Sequence, residues 1–551
     1  MHTGEEIHTD EEADRIVAQM ASMEGERESW ETTWQEISDY IIPRKSGINT
    51  IEPKGEQRTI RLHDTTAIRA NEKFASGLYG YLTPPGKKWF ALEAENNDLQ
   101  KIPEVRDWFS RVSDRMSRKI NQSNFQAEIH ELYLQIASFG TTCLYLEQDD
   151  KGELVFTDIP IGRYYIAEDQ YGLVDTIYRR FPYTARQAVQ RFGTEALPKA
   201  IVDIYEDADG KESQKQFIFI HAVEPRSNYL PYKKDNMNMP IVSAWVSKEF
   251  SKVVKESGYE EMPYFCTRYL KSNTEIYGRC PGTAHISDVR QINLMEKTII
   301  TQVEKIVNPP ILIPDDGATT YKFRTAPNSI NYWKATNGAN KPEPFVINNP
   351  GSLSFGEDKL EQKRNTIREA FHNDFFQAVT NADKTMTATE VMEIIEEKIV
   401  SFSPTMGRMQ DELYEPLLER VFNIMFRAGE FPEIPQGLLE DPRFKVVYSG
   451  KISQALKMVE NKATLQTLDQ IVPYAEIKPE ILDIYNFDNI SRDIGINNGM
   501  VVDHFNDEAV VEQIRQGRAQ QEQARAEAEM QQMNAQSANN MASAEATMRS
   551  A

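Results

Sequence analysis

Residues 287–310 read SDVRQINLMEKTIITQVEKIVNPP. Val289, Ile292, Met295, Ile299, Val303 and Ile306 recur every three or four positions, which lays apolar side chains along one stripe of an α-helix. Ser287 is suited to cap the start, and Pro309-Pro310 ends the pattern. At about 1.5 Å per residue such a helix is a rod of about 30 Å. A second run of this kind spans about Phe355–Phe375. Between them, residues 311–350 are rich in Pro, Gly and Asn, with only short apolar pieces, ILIP, INYW and PFVI. The reading is two rods of matching length flanking a compact, strand-bearing insert. A plain helical hairpin with a decorated loop gives the same pattern, so the rods alone assign no function.

Outward toward the N-terminus, Ile16, Met20, Met23, Trp30, Trp34, Ile37 and Ile41 predict a long helix, or two abutting ones, over residues 11–42, closed by Pro43. Residues 1–10 are expected to be disordered. Asp64 reads as the cap of a second helix with Ala67, Ala70, Phe74, Leu78 and Leu82 on one side, ended by Pro84-Pro85-Gly86. A short strand is expected at Lys88–Leu92, and helices at Glu104–Ile120 and Gln126–Phe139. From Thr142 to Lys271 the period changes. CLYLEQ, LVFTDI, YYIAED, FIFIHAV, IVSAWVSKEF and PYFCTRYL are rich in β-branched and aromatic residues and separated by Asp/Gly turns, with one helix near Thr184–Phe192. This region is α+β and mainly antiparallel.

Outward toward the C-terminus, Gln377–Met386 (QAVTNADKTM) is a polar loop, followed by helices at Thr389–Lys398 and Pro404–Ala428. A strand (FKVVYSG) and a helix from Ile452 to about Ile471 come next. From Asp507 the chain is rich in Gln, Ala, Glu and Met, and apolar positions fade after Ile514. That pattern leaves a marginal helix and a disordered tail both open.

A chain of 551 residues exceeds what one core usually serves, and 40% hydrophobic residues suffice to fold most of it. No apolar run reaches 18 residues and the N-terminus is acidic, so a soluble protein made in a cytoplasm, with no membrane contact, is expected. Cys143, Cys266 and Cys280 lie far apart with no CxxC pair, and read as buried thiols. The net charge is −22, whereas a protein that grips nucleic acid normally shows a basic surface. Ordinary acidic solubility explains this, and so does a surface that lies near DNA without holding it.

Gly86-Lys87-Lys88, Gly210-Lys211-Glu212 and Gly450-Lys451-Ile452 lack the Ser/Thr of a phosphate-cradling loop. His130-Glu131 has no partner histidine at the helical spacing, and no G-x-S-x-G elbow occurs. His63, His130, His285 and His372 fall in helical or capping contexts, and Asp315-Asp316 precede Gly317 as turn residues. No catalytic residue, cofactor site or metal site is assigned, and a structural or interaction protein is expected.

Four segments together resemble the head-to-tail connector, or portal, family of short-tailed bacteriophages. They are WETTWQEISDYIIPRKSG in the first helix; Asp64-Thr65-Thr66 with Ala70 to Gly80 and then Lys88-Trp89-Phe90; Met262-Pro263-Tyr264, Arg268, Tyr277-Gly278-Arg279 and Pro281-Gly282; and Met386 to Val391 with Pro404 and Leu413-Tyr414-Glu415-Pro416-Leu417. Their order extends from about residue 15 to 520.

The resemblance implies an α+β, predominantly helical portal fold assembled as a ring, twelve subunits in the particle, at one capsid vertex of the virion after assembly in the host cytoplasm. It implies a wing at 11–285 with returning helices at 387–428, and stem helices at 286–309 and 352–376. It also implies a β-rich clip at 310–351, a tunnel loop at 377–386, a crown at 429–506 and a C-terminal tail at 507–551. The implied partners are the terminase large subunit, whose separate ATPase fits the missing phosphate loop, major capsid and scaffolding proteins, tail tubular or adaptor proteins, and double-stranded DNA in the channel. Twelve copies of −22 total about −264, a field that repels phosphates and keeps DNA mobile. Lys297, Lys305, Lys359, Lys363, Arg364 and Lys384 are the candidate DNA-channel contacts, with solvated or salt-bridged charges as the plainer alternative. A tail-adaptor or scaffold protein and a carboxylate-metal nuclease are the competing functions.

Overall fold

A computed structural model describes the chain from Thr3 to Arg549, apart from residues 46, 49–58, 60–61, 150, 208–213, 231, 234, 315–323, 325, 334–344, 347–352, 374–402, 439–442, 449–460, 462–463, 472, 475–477, 498–504 and 507. Helix α1 spans Thr3–Ile41, so the residues expected to be disordered before position 11 enter the helix from Thr3 onward. Its apolar positions Ile16, Met20, Met23, Trp34, Ile37 and Ile41 are all buried. Helix α2 (Thr66–Leu82) buries Ala67, Ala70, Phe74, Leu78 and Leu82. Asp64 acts one residue earlier than a normal cap: its Oδ1 accepts from the Thr66 amide at 2.7 Å, while Thr65 occupies the capping position.

Strand β1 (Phe90–Ala94), the single turn α3 (Asn97–Gln100), α4 (Pro103–Gln122) and α5 (Phe125–Phe139) follow. Helix α5 ends at Gly140, whose φ of 81° is a left-handed conformation natural to glycine. Gly140 also faces Gly278, and a Cβ on either would collide with the other's carbonyl oxygen. This contact brings the end of α5 close to the segment that leads into the helix opening at Pro281.

The strands between Thr141 and Arg268 form two antiparallel sheets. The smaller has the order β3-β2-β9, from β2 (Thr141–Gln148), β3 (Leu154–Ile159) and β9 (Tyr264–Arg268). The larger is a meander of β4 (Tyr164–Glu168), β5 (Val174–Thr184), β6 (Gln216–Pro225), β7 (Ile241–Ser247) and β8 (Lys252–Tyr259). Between β5 and β6 stand α6 (Ala185–Phe192), opened by a Thr184/Gln187 capping box, and α7 (Lys199–Glu206). Period-two alternation gives the larger sheet two apolar faces. Ile220, Ala222, Val242, Ala244 and Val246 meet Ala13, Ile16, Met20 and Met23 of α1. Phe217, Phe219 and Trp245 meet Ala185, Ala188 and Ile201 of α6 and α7. Strands β5 and β8 and helix α7 are additions to the sequence reading. Strand β5 tolerates Pro182 because β4 pairs only as far as Arg179, so Pro182 lies where β5 is an edge on that side.

Helix α8 runs Pro281–Val307, six residues earlier than Ser287 suggested, and Cys280 is its cap, with Thr283 bonded back to it. Pro281 is tolerated in the first turn, where its missing N–H is not needed. Strands β10 (Ile311–Pro314), β11 (Ile330–Trp333) and β12 (Phe345–Val346) form a small mixed sheet. Helix α9 spans Leu353–Ala370 and gives way to His372 at a positive φ of 51°, short of the expected 376. The rods are therefore unequal, with 27 residues against 18.

Residues 403–409 are helical and pass through a π-helical turn, Gln410–Tyr414, into α10 (Glu415–Arg427). Pro416 has no N–H for the carbonyl of Glu412, and the widened turn accommodates that missing bond. Strand β13 (Phe444–Tyr448) pairs antiparallel with β1. Phe444–Tyr448 thus shares a two-stranded sheet with Phe90–Ala94, far apart in the sequence. A second compact unit begins at Ser453. Its described parts include α11 (Phe487–Asn497) and α12 (Glu508–Arg549), where Arg515 grips Asp488 with two bonds of 2.5 and 2.7 Å. The tail is thus one long helix.

Candidate nucleic-acid interface and assembly face

The predicted stripe on α8 changes character along its length. Val289 and Ile292 are buried, Met295 and Ile299 are half-buried, and Val303 and Ile306 are exposed. Leu294 at 65% and Val307 at 69% exposure, with Ile300, extend the uncovered apolar surface, and Ile330 and Tyr332 of β11 are exposed as well. The root of the rod is held by polar groups. Asn293 Oδ1 accepts from the amides of His63 and Asp64 at 2.9 and 3.0 Å, and its Nδ2 donates to Val289 O.

Two of the six candidate cations are committed to carboxylates. Lys363 Nζ lies 2.7 Å from Asp288 Oδ1, which joins α9 to α8. Arg364 donates from Nε and Nη2 to Asp64 Oδ2 at 3.0 and 2.8 Å, and reaches Glu296 at 3.3 Å. Burial alone would raise the Asp64 carboxyl, but its bonds from Thr66 and Arg364 hold it below its ordinary value. Bonds from Lys363 and His285 likewise lower Asp288. Lys297 is exposed on α8, Lys305 is half-buried in its last turn, and Lys359 is exposed with a 3.3 Å bond to Gln362. Lys384, with the whole Gln377–Met386 loop, lies outside the described residues.

A buried ionic knot fastens the smaller sheet to the π-helical turn. Arg268 on β9 is fully buried and donates to Glu412 Oε1 at 2.6 Å, and it also pairs with Glu168. Glu168 takes Lys271 at 2.7 Å as well. Cys143, Cys266 and Cys280 are free and buried, and burial pushes the Cys280 thiol up to about 11. Among the described residues no group of three or more His, Cys, Asp or Glu gathers as metal donors, and no helix is long and apolar enough to cross a membrane.

The sequence model of the bacteriophage head to tail connecting protein matches residues 13–503. The chain belongs to this family. Its similarity to the portal protein of Salmonella phage epsilon15 is 28% identity over 519 residues, 93% of this chain and 92% of that one. With the probable portal protein of Bordetella phage BPP-1 it shares 29% over 483 residues, 86% and 85% of the two chains. The portal protein of Escherichia phage T7 is 21% identical over 457 residues, covering 76% of this chain and 75% of that one. The connector resemblance read from the four segments therefore holds.

Sequence reasoning identified Arg364 and Lys363 as cations but missed their carboxylates, since Asp64 stands 300 positions from Arg364. It also passed over Arg69, Lys73 and Arg368, although the i, i+4 repetition of like charge was visible.

Proposed function

We propose that this connector-family chain is a portal subunit that closes head-to-tail into a ring, twelve copies in the particle, at one vertex of the capsid. The observation that carries the reading is the family match over 13–503 together with the bare apolar half of α8. An apolar rod face of this kind is costly in water, and a neighbouring copy turned by a fixed rotation covers it at every subunit in turn.

In this reading α8 and α9 form the stem around a bore, the sheet of β10, β11 and β12 forms the clip, residues 429–506 contribute the crown, and residues 507–551 are the C-terminal tail. The clip faces the terminase large subunit during packaging and tail adaptor proteins afterwards, while scaffolding and major capsid proteins meet the wing. The protein itself hydrolyses no ATP and cuts no DNA. Net charge of −22 per copy keeps duplex DNA sliding, and isolated cations such as Lys297, Lys305, Lys359 and Lys384 make brief phosphate contacts. Arg364 and Lys363 serve the wall, because their carboxylates already hold them. The loop Gln377–Met386 narrows the bore.

Averaged electron images of the purified protein test the reading. A closed ring with an axial hole is expected, and open chains or compact particles without a hole would overturn it. Shortening Gln377–Met386, or Lys384→Glu, should leave rings intact but alter packaging or let genomes leak. Normal packaging and retention after shortening would remove the loop from the channel.

A further inference from the structure

A cavity of about 500 Å³ lies between the first turns of α2 and the C-terminal half of α9. Arg69 and Lys73 from α2 and Arg364 and Arg368 from α9 line it, against Asp64 as the one lining carboxylate among the described residues. In a chain of net charge −22 this is a local excess of the opposite sign. Each helix carries its two cations four positions apart, where like charges are neighbours and repel. Carboxylates answer part of the excess: Asp64 and Glu296 hold Arg364, and Glu361 holds Arg368 at 2.8 Å. Arg69 is exposed and has no ion pair among the described residues.

A second observation points the same way. Asn373, just beyond α9, lines the cavity and is only 4% exposed, yet its Oδ1 has no hydrogen-bond partner among the described residues. A buried amide is normally satisfied, and this one can turn either its oxygen or its NH2 toward a ligand. The segment Asp64-Thr65-Thr66 borders the cavity too.

We propose that this cavity binds a phosphate group, either free phosphate or one phosphate of a nucleic-acid backbone. Arg69 and Lys73 supply charge from one side, Arg368 from the other, and the Asn373 amide closes the back. Glu361 and Asp64 temper the field, so the contact is salt-sensitive and reversible. The site does not depend on the portal reading, because a chain that fails to form rings can still be tested for it.

Full-length protein and its Arg69→Gln/Lys73→Gln variant are titrated with inorganic phosphate and, separately, with a duplex oligonucleotide, between about 50 and 200 mM chloride salt. The variant should bind at least about tenfold more weakly than wild type, with its salt slope on duplex reduced by about two for each cavity engaged. Loss confined to inorganic phosphate assigns a free ligand, and loss on the duplex assigns the backbone. Arg69→Lys, which keeps the charge, should retain most of the binding. Equal affinity of variant and wild type for both probes overturns the proposal, as does wild-type protein that binds neither. Arg69 is exposed, so its replacement leaves the core untouched, and an unchanged far-ultraviolet spectrum verifies that.

Discussion

The larger sheet and the outer half of α8 treat apolar surface in opposite ways. The sheet covers both of its faces from its own chain, with α1 on one and α6 and α7 on the other, down to Tyr178, Phe219 and Trp245. On α8, Ile300, Val303, Ile306 and Val307 are left in water. One region is finished when the subunit folds, and the other is finished only by another molecule. Substitutions should therefore separate cleanly, with the first region governing stability and the second governing assembly.

The most severe test of the closed region is Glu412→Ala. It leaves the guanidinium of Arg268 buried beside Glu168 alone, and a broken buried pair of this kind costs about 3–5 kcal/mol. Denaturant midpoints of the variant and wild type measure that loss, and a midpoint near wild type would make the knot dispensable.

Acid acts next. Burial, followed by the charges of Arg179 and Arg191, depresses the His221 imidazole to about 3 from 6.5. The folded state therefore holds it neutral where the unfolded state would protonate it. Its contribution is whole above pH 6.5 and drains away as pH falls toward 3, at up to about 1.4 kcal/mol per pH unit. His221→Gln should flatten the thermal midpoint across that window, and an unchanged slope would place the acid sensitivity elsewhere.

On the open region, Val303→Asp with Ile306→Asp should change the subunit's own stability by only about 0.5 kcal/mol. Assembly should nevertheless fall to monomers by size-exclusion chromatography. Retained assembly would mean that the rod face is covered by nothing. The smallest effect is expected from deleting the residues after Gln520. The described side chains there are exposed, so assembly should match the full chain. Failure would make the end of α12 part of the assembly.

Local pattern made the helices and most strands readable, because burial on one face leaves a period of 3.6 or 2. The errors have physical sources. Ser287 was read as the cap where α8 already opens at Pro281, and β5, with Pro182 on a locally free edge, was not read as a strand. The β1–β13 pair joins segments so far apart that no local period signals it. Of the six candidate cations, the charges were legible and the partners were not. Asp288 and Asp64 meet Lys363 and Arg364 only through the packing of α9.

The central claim, that the bare half of α8 is covered by further copies of the same chain, is tested most directly by sedimentation velocity of the wild-type protein at micromolar concentration in physiological salt. The account predicts one large species with the mass of a closed ring of subunits. A monodisperse monomer of 63.2 kDa would contradict it.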